Sequence, residues 1–174
     1  LASAVALMAL QTVRQQAVWR DAVSLWTREI KLYPDRSALA HRNLGVAYAD
    51  RGRMEEAAFQ FQAALSVWPE DPGARSNLGV AYKALGRLEE AAFQLEAAIR
   101  FRPNYPSAHN NLGLVYAHMG RTEQAAEHFR RSIDLDPSSP GPRSNLGVMY
   151  ERMGRSQEAI PLYLSALELA PDYM

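Results

Sequence analysis

The chain has 174 residues, 48% of them hydrophobic, with 19 basic and 19 acidic side chains. That balance belongs to an ordinary globular chain and excludes the disordered and collagen-like classes; with zero formal net charge there is no field to gather nucleic acid, so no nucleic-acid partner is expected. The absence of cysteine excludes disulfide scaffolds, thiolate metal sites and cysteine nucleophiles, and leaves the redox compartment open.

Residues 1–37 are the least regular part. Leu1–Leu10 is an apolar run too short to cross a bilayer, which takes about 20 residues. Leu1–Gln16 reads as a buried capping helix, or Leu1–Leu10 within it as the tail of a membrane helix that anchors the chain upstream of Leu1. A tag or signal remnant is the remaining reading, and a basic n-region to support a signal is missing. The compartment is left open: cytoplasmic, or extracytoplasmic if Leu1–Leu10 ends a membrane helix. The chain does not begin with Met and stops just past Pro171, which reads as a fragment or a processed form. Trp19 to Trp26, followed by Pro34, fits a helix with Ala22 and Trp26 in its packing slots. A small loop insertion is expected near Asp35-Arg36-Ser37.

From residue 38 a 34-residue period takes over. It divides the chain into units 38–71, 72–105, 106–139 and 140–174. Asn-Leu-Gly recurs at Asn43-Leu44-Gly45, Asn77-Leu78-Gly79, Asn111-Leu112-Gly113 and Asn145-Leu146-Gly147. A tyrosine (Tyr48, Tyr82, Tyr116, Tyr150), a second glycine (Gly52, Gly86, Gly120, Gly154), an alanine (Ala57, Ala91, Ala125, Ala159) and a proline (Pro69, Pro103, Pro137, Pro171) keep step with each copy.

Residues 72–105 show what one period encodes. Pro72 suits a first helical turn, where its missing N–H costs nothing. Ala74, Leu78, Ala81, Tyr82 and Leu85 fall three and four apart, which predicts an amphipathic helix A. Gly79 sits inside it at a cost of about 1 kcal/mol against alanine, so a close neighbour must forbid a Cβ. Gly86 predicts a left-handed cap. Glu89 and Glu90 open helix B, their charge favoured by the helix N-terminus. Ala91, Ala92, Leu95, Ala98 and Ile99 form its apolar stripe, and Pro103 stops it. One such hairpin cannot bury both faces, so neighbours must stack.

The spacing Leu78-Gly79, Tyr82, Gly86, Ala91, Leu95, Ala98, Pro103 resembles the tetratricopeptide repeat. The large helix-B residue is Phe61, Leu95, Phe129 or Tyr163, and the small residue three further on is Ala64, Ala98, Ser132 or Ala166. The resemblance implies an all-α, right-handed superhelical solenoid of antiparallel helix pairs. In one slot the chain departs from the family: its frequent Trp near the start of helix A is replaced by His41, Arg75, His109 and Arg143, which is expected to weaken packing there. The stretch up to Trp26 also resembles the junction before the C-terminal repeats of multi-pass membrane proteins of the O-mannosyltransferase type. In the last unit Ser156 is expected to cap helix B and Pro161 to bend it. Leu162, Leu164 and Leu169 should leave an open apolar flank.

Nothing points to catalysis. No two of His41, His109, His118 and His128 have zincin spacing around a glutamate, and no glycine-rich phosphate loop follows a strand, so no cofactor or metal is expected. His41 and His109 read as packing residues, His118 and His128 as surface residues, and Glu55-Glu56 and Glu89-Glu90 as helix N-terminal charges. Seventeen of the 19 basic residues are Arg, the exceptions being Lys31 and Lys83. This reflects either genome composition or a use for planar contacts to carboxylates.

In a right-handed stack, helix A would line the concave groove with Leu39, Arg42, Asn43, Val46, Ala49, Asp50 and their equivalents. Asn43, Asn77, Asn111 and Asn145 would form a ladder of amides, each both donor and acceptor. This is similar to the asparagine ladder of O-GlcNAc transferase-type repeats and implies contact with a peptide backbone; the amides bonding within the stack is the alternative. Around the ladder lie Arg42, Ser76, Asn110, Ser144, Lys83, His118, Glu151 and Arg152. The chaperone-type carboxylate clamp needs Asn where this chain has Val46, Val80, Leu114 or Val148, so the groove suits a segment with hydrophobic anchors instead. Three functions follow as expectations: a peptide- or protein-binding module, the extracytoplasmic repeat domain of a membrane-anchored glycosyltransferase-like protein, and a scaffold that self-associates head to tail.

Overall fold

The computed structural model describes residues 21–33 and 37–170. The capping or membrane helix over Leu1–Gln16, the insertion at Asp35-Arg36 and the stops at Pro34 and Pro171 lie outside the described residues. Among those described, the order is α1 (Ala22–Leu32), α2 (Ala38–Ala49), α3 (Met54–Val67), α4 (Pro72–Ala84), α5 (Leu88–Phe101), α6 (Pro106–His118), α7 (Thr122–Leu135), α8 (Pro140–Arg152) and α9 (Ser156–Leu169). Helices α2, α4, α6 and α8 are the expected A helices, and α3, α5, α7 and α9 the B helices. The fold is all-α, as the period requires. No described helix is long and apolar enough to cross a membrane.

The chain divides into two compact units, one ending at Pro69 and the other starting at Glu70. In the first, α2 pairs with α3 and also touches α1. Trp26 of α1 lines a 300 Å³ cavity with Tyr33, Leu39 and Ala40. Ala22 is exposed, unlike the alanines in the same slot of later B helices. In the second unit the hairpins α4–α5, α6–α7 and α8–α9 stack: α5 packs on α6, α7 packs on α8, and the A helices also touch one another, α4 with α6 and α6 with α8.

Each hairpin closes through its Asn-Leu-Gly glycine. A Cβ on Gly79 would stand 2.6 Å from Leu95 Cγ and 3.1 Å from the Ala91 carbonyl oxygen. Gly45, Gly113 and Gly147 meet Phe61, Phe129 and Tyr163 in the same way. The close neighbour is therefore the large residue of the hairpin's own B helix. Leu95 and Phe129 are 0% exposed, and burial of such a side chain contributes about 1.5–3 kcal/mol. Ala91 and Ala98 are likewise fully buried, the small contacts that allow this approach.

The turn is the second repeated device. Gly86 has φ +74°, its N–H donates to the Lys83 carbonyl at 3.0 Å, and the Arg87 N–H donates to the Tyr82 carbonyl at 2.9 Å. Together these satisfy the last carbonyls of α4. Arg87 then stacks its guanidinium on the Tyr82 ring, 4.2 Å from the centroid, while its Nε donates to Glu90 at 2.6 Å. Arg53 with Tyr48 and Glu56, and Arg155 with Tyr150 and Glu158, repeat the arrangement. The first-turn glutamates thus do more than answer a helix dipole.

One local expectation is corrected and one is extended. Ser156 is the first residue of α9 rather than its cap; Arg155 takes the cap position, because the turn geometry of the other hairpins is kept. The apolar flank of α9 is open at Leu164, 56% exposed, and at Leu169, but its most prominent member is Ile160, at 57%.

Candidate functional site

The A helices carry every residue expected to bind. In the first unit Arg42 and Asn43 are half-buried on α2 and Val46 is exposed. In the second unit Asn77, Val80 and Lys83 stand half-buried on α4, and Asn110, Asn111 and Leu114 half-buried on α6, with Ser76 buried and His118 exposed. On α8, Ser144 and Asn145 are half-buried, and Val148, Glu151 and Arg152 are exposed.

The amides do not behave alike. Asn145 Nδ2 donates to Asn110 Oδ1 at 3.1 Å, tying α8 to α6. Arg152 makes a second tie, donating from Nη1 to the Ala117 carbonyl in the last turn of α6 at 3.4 Å. Such terminal carbonyls lack a helical partner of their own. Glu151 accepts from the Tyr163 hydroxyl at 3.0 Å. Asn77 and Asn111, by contrast, hydrogen-bond no other side chain among the described residues. Lys83 makes no ion pair there either, and burial draws its ammonium below the usual lysine range.

The departure at the Trp slot has a physical explanation that the sequence reading missed. His41 Nδ1 lies 2.7 Å from Gln60 Oε1, and Arg75 Nη1 donates to Gln94 Oε1 at 3.0 Å. His109 Nδ1 lies 3.1 Å from His128 Nδ1. Each pair is 19 residues apart and crosses one hairpin, so polar bonds replace the expected weakening. Arg143 has the apolar Leu162 at that spacing and turns instead to the Ser139 carbonyl at 3.0 Å. His128 is therefore no surface residue: it is half-buried against His109. The signal that could have found these pairs is the polar residue repeated 19 positions after three of the four helix-A slots, at Gln60, Gln94 and His128.

Among the described residues no group of three or more His, Cys, Asp or Glu side chains could hold a metal ion. Tyr116 donates to Glu96 at 2.6 Å, and its hydroxyl is pushed up to about 12, chiefly by burial and then by that carboxylate.

Comparison with known proteins gives one family throughout. A TPR repeat model matches residues 45–86 and 81–120, and two tetratricopeptide repeat models match residues 104–172 and 7–64. No curated protein sequence matches. Among solved structures, the thermophilic TPR protein TTC0263 of Thermus thermophilus is 30% identical, with TM-score 0.74, over 92% of this chain and 89% of that one. MamA is 26% identical, with TM-score 0.79, over 90% of this chain and 91% of that one. YrrB, described as a TPR protein with an unusual peptide-binding site, is 23% identical, with TM-score 0.73, over 95% of this chain and 84% of that one, a likeness that shows the fold alone. With its period, its hairpins and these matches in agreement, the chain belongs to the tetratricopeptide repeat family.

Proposed function

We propose that this chain is a non-catalytic interaction module whose A helices hold an extended segment of another protein. The observation that carries the reading is the pair of half-buried amides at Asn77 and Asn111, on A helices that touch directly, with no side-chain partner among the described residues. Val80 and Leu114 lie three residues beyond each amide and supply apolar anchors. A primary amide can meet both the C=O and the N–H of a passing backbone without reading its sequence. YrrB's description shows that the fold can carry a peptide-binding site.

The test begins with a displayed random peptide library panned on the domain. A selected peptide is then titrated calorimetrically into the parent protein and the Asn77→Ala/Asn111→Ala variant. Each truncated amide removes hydrogen bonds worth about 0.5–1.5 kcal/mol, so affinity should fall about tenfold or more while melting stays within a few degrees. Equal affinities, or a collapse of the melt, would show that the amides serve the stack.

A second reading, self-association, is favoured by the open face of α9. Ile160 occupies the slot of Ala58, Ala92 and Ala126, which are buried, yet Ile160 is 57% exposed. Light scattering over a concentration series tests it, and a monomer at every concentration would sink it.

A further inference from the structure

We propose that His109 and His128 form a proton-operated latch that holds the third hairpin, α6–α7, closed at neutral pH and releases it on mild acidification. His109 is buried at 6% exposure, and its Nε2 lies 3.1 Å from the Pro103 carbonyl. A carbonyl only accepts, so Nε2 carries the hydrogen, and Nδ1 of the neutral ring is the acceptor. The 3.1 Å contact to His128 Nδ1 is then an N–H···N bond with His128 donating. The two rings lie 29° from parallel with centroids 5.4 Å apart. The pair has room for one proton between the two Nδ1 atoms. The first proton added to the neutral pair can sit on His128 Nε2 and leave that bond intact; the second must go to His109 Nδ1, which puts two N–H groups nose to nose and two positive charges on adjacent half-buried rings.

The surroundings do not neutralise that second charge. Arg131 stands near His109 and opposes its protonation. Glu127 on α7 and Glu96 on α5 favour a charged His128, but burial and His109 outweigh them, and both imidazoles are drawn below the usual histidine range. Glu96 is already engaged by the Tyr116 hydroxyl at 2.6 Å. Arg130 and Asp134 complete the rim of a 420 Å³ cavity at the pair, through which protons have access. Since the folded values are depressed, the unfolded chain binds more protons over the window between them and the ordinary value of about 6.5. Stability is complete above that value and falls as pH drops through the folded values.

The other hairpins show the device is specific. In the same cross-hairpin position the first and second carry Gln60 and Gln94, amides that do not titrate. His128→Gln therefore converts the third hairpin to the pairing His41 already makes, with folding at neutral pH retained. The test is the melting temperature of both proteins from pH 7.5 to 4.5, with an NMR titration of the imidazole nitrogens in the unsubstituted protein. The parent should lose up to tenfold in folding equilibrium constant per pH unit for each of the two histidines across the window, and H128Q should lose clearly less. In the titration the pair should take up its second proton below the ordinary histidine value. Parallel pH profiles, or two ordinary histidine midpoints in the unsubstituted protein, would overturn the latch.

Discussion

At the scale of single residues, the glycines divide into two kinds with opposite reasons. Gly79 has ordinary helical geometry but no room, whereas Gly86 has open space but a φ of +74°. Gly79→Ala would gain about 1 kcal/mol of helix propensity. It would also press a methyl into Leu95 and the Ala91 carbonyl, an overpacking that costs about 1–3 kcal/mol. The net outcome is a lower melting temperature, and a larger residue such as leucine at that position should splay the hairpin. Combined with Leu95→Ala, the Gly79→Ala loss should be partly relieved, so the double variant should melt above the additive expectation. Gly86→Ala should lose about 1–2 kcal/mol from left-handed backbone strain alone, with no rescue from any neighbouring truncation. Melting curves of these four proteins separate the two causes. Both glycines were legible in the sequence, since an interior glycine in every copy demands a neighbour and a terminal one demands a cap. The identity of the neighbour was not, because nothing in one helix says which side chain of the next one points at it.

At the scale of the element, the arginine-rich composition acquires a local cause. The arginine after each turn glycine lies flat on a tyrosine and forks onto the glutamate three residues later in the first, second and fourth repeats. In the third repeat Gln124 replaces that glutamate, and Arg121 sits 5.7 Å from the Tyr116 centroid. Gln124→Glu should pull Arg121 onto the ring and raise the melting temperature slightly, an effect that high salt should remove because the groups are exposed. Hydrogen bonds from Arg53, Arg87 and Arg155 hold the carboxyls of Glu56, Glu90 and Glu158 below their usual range. Their contribution is present above the ordinary glutamate value and disappears as pH falls through the lowered ones. This acid loss begins at the ordinary glutamate value, below the ordinary histidine value where the latch begins to weaken, so the histidine decline should come first as pH falls. The reading of Glu89-Glu90 as helix-end charge found only half of this role. The cross-hairpin pairs were harder still, since a register of 19 residues emerges only once two antiparallel helices and a turn of known length are in place.

At the scale of the whole molecule, composition and period sufficed for the all-α class and the family. They did not show that the amide ladder would be uneven. Asn145 spends its donor on Asn110, while Asn77 and Asn111 keep theirs. Between Asn111 and Asn145 the difference lies in what stands just before the amide on the preceding A helix: Ser76 is short and buried, whereas Asn110 reaches α8. Asn145→Ala should therefore lower stability by about 0.5–1.5 kcal/mol, which a urea titration can resolve, whereas Asn77→Ala should leave stability nearly unchanged. The open face of α9 gives another expectation at this scale: Ile160→Ser should raise solubility and abolish any concentration-dependent mass in light scattering, without altering the helical content.

The glycine that meets the bulky residue of its own B helix has a consequence for how such chains change length. The close contact of each such glycine is made inside its own hairpin. A duplication or excision of 34 residues therefore carries that contact along with it. Inheritance can add or remove a segment in one event, and a chimera built by cutting at the prolines should fold where a cut inside a hairpin would not.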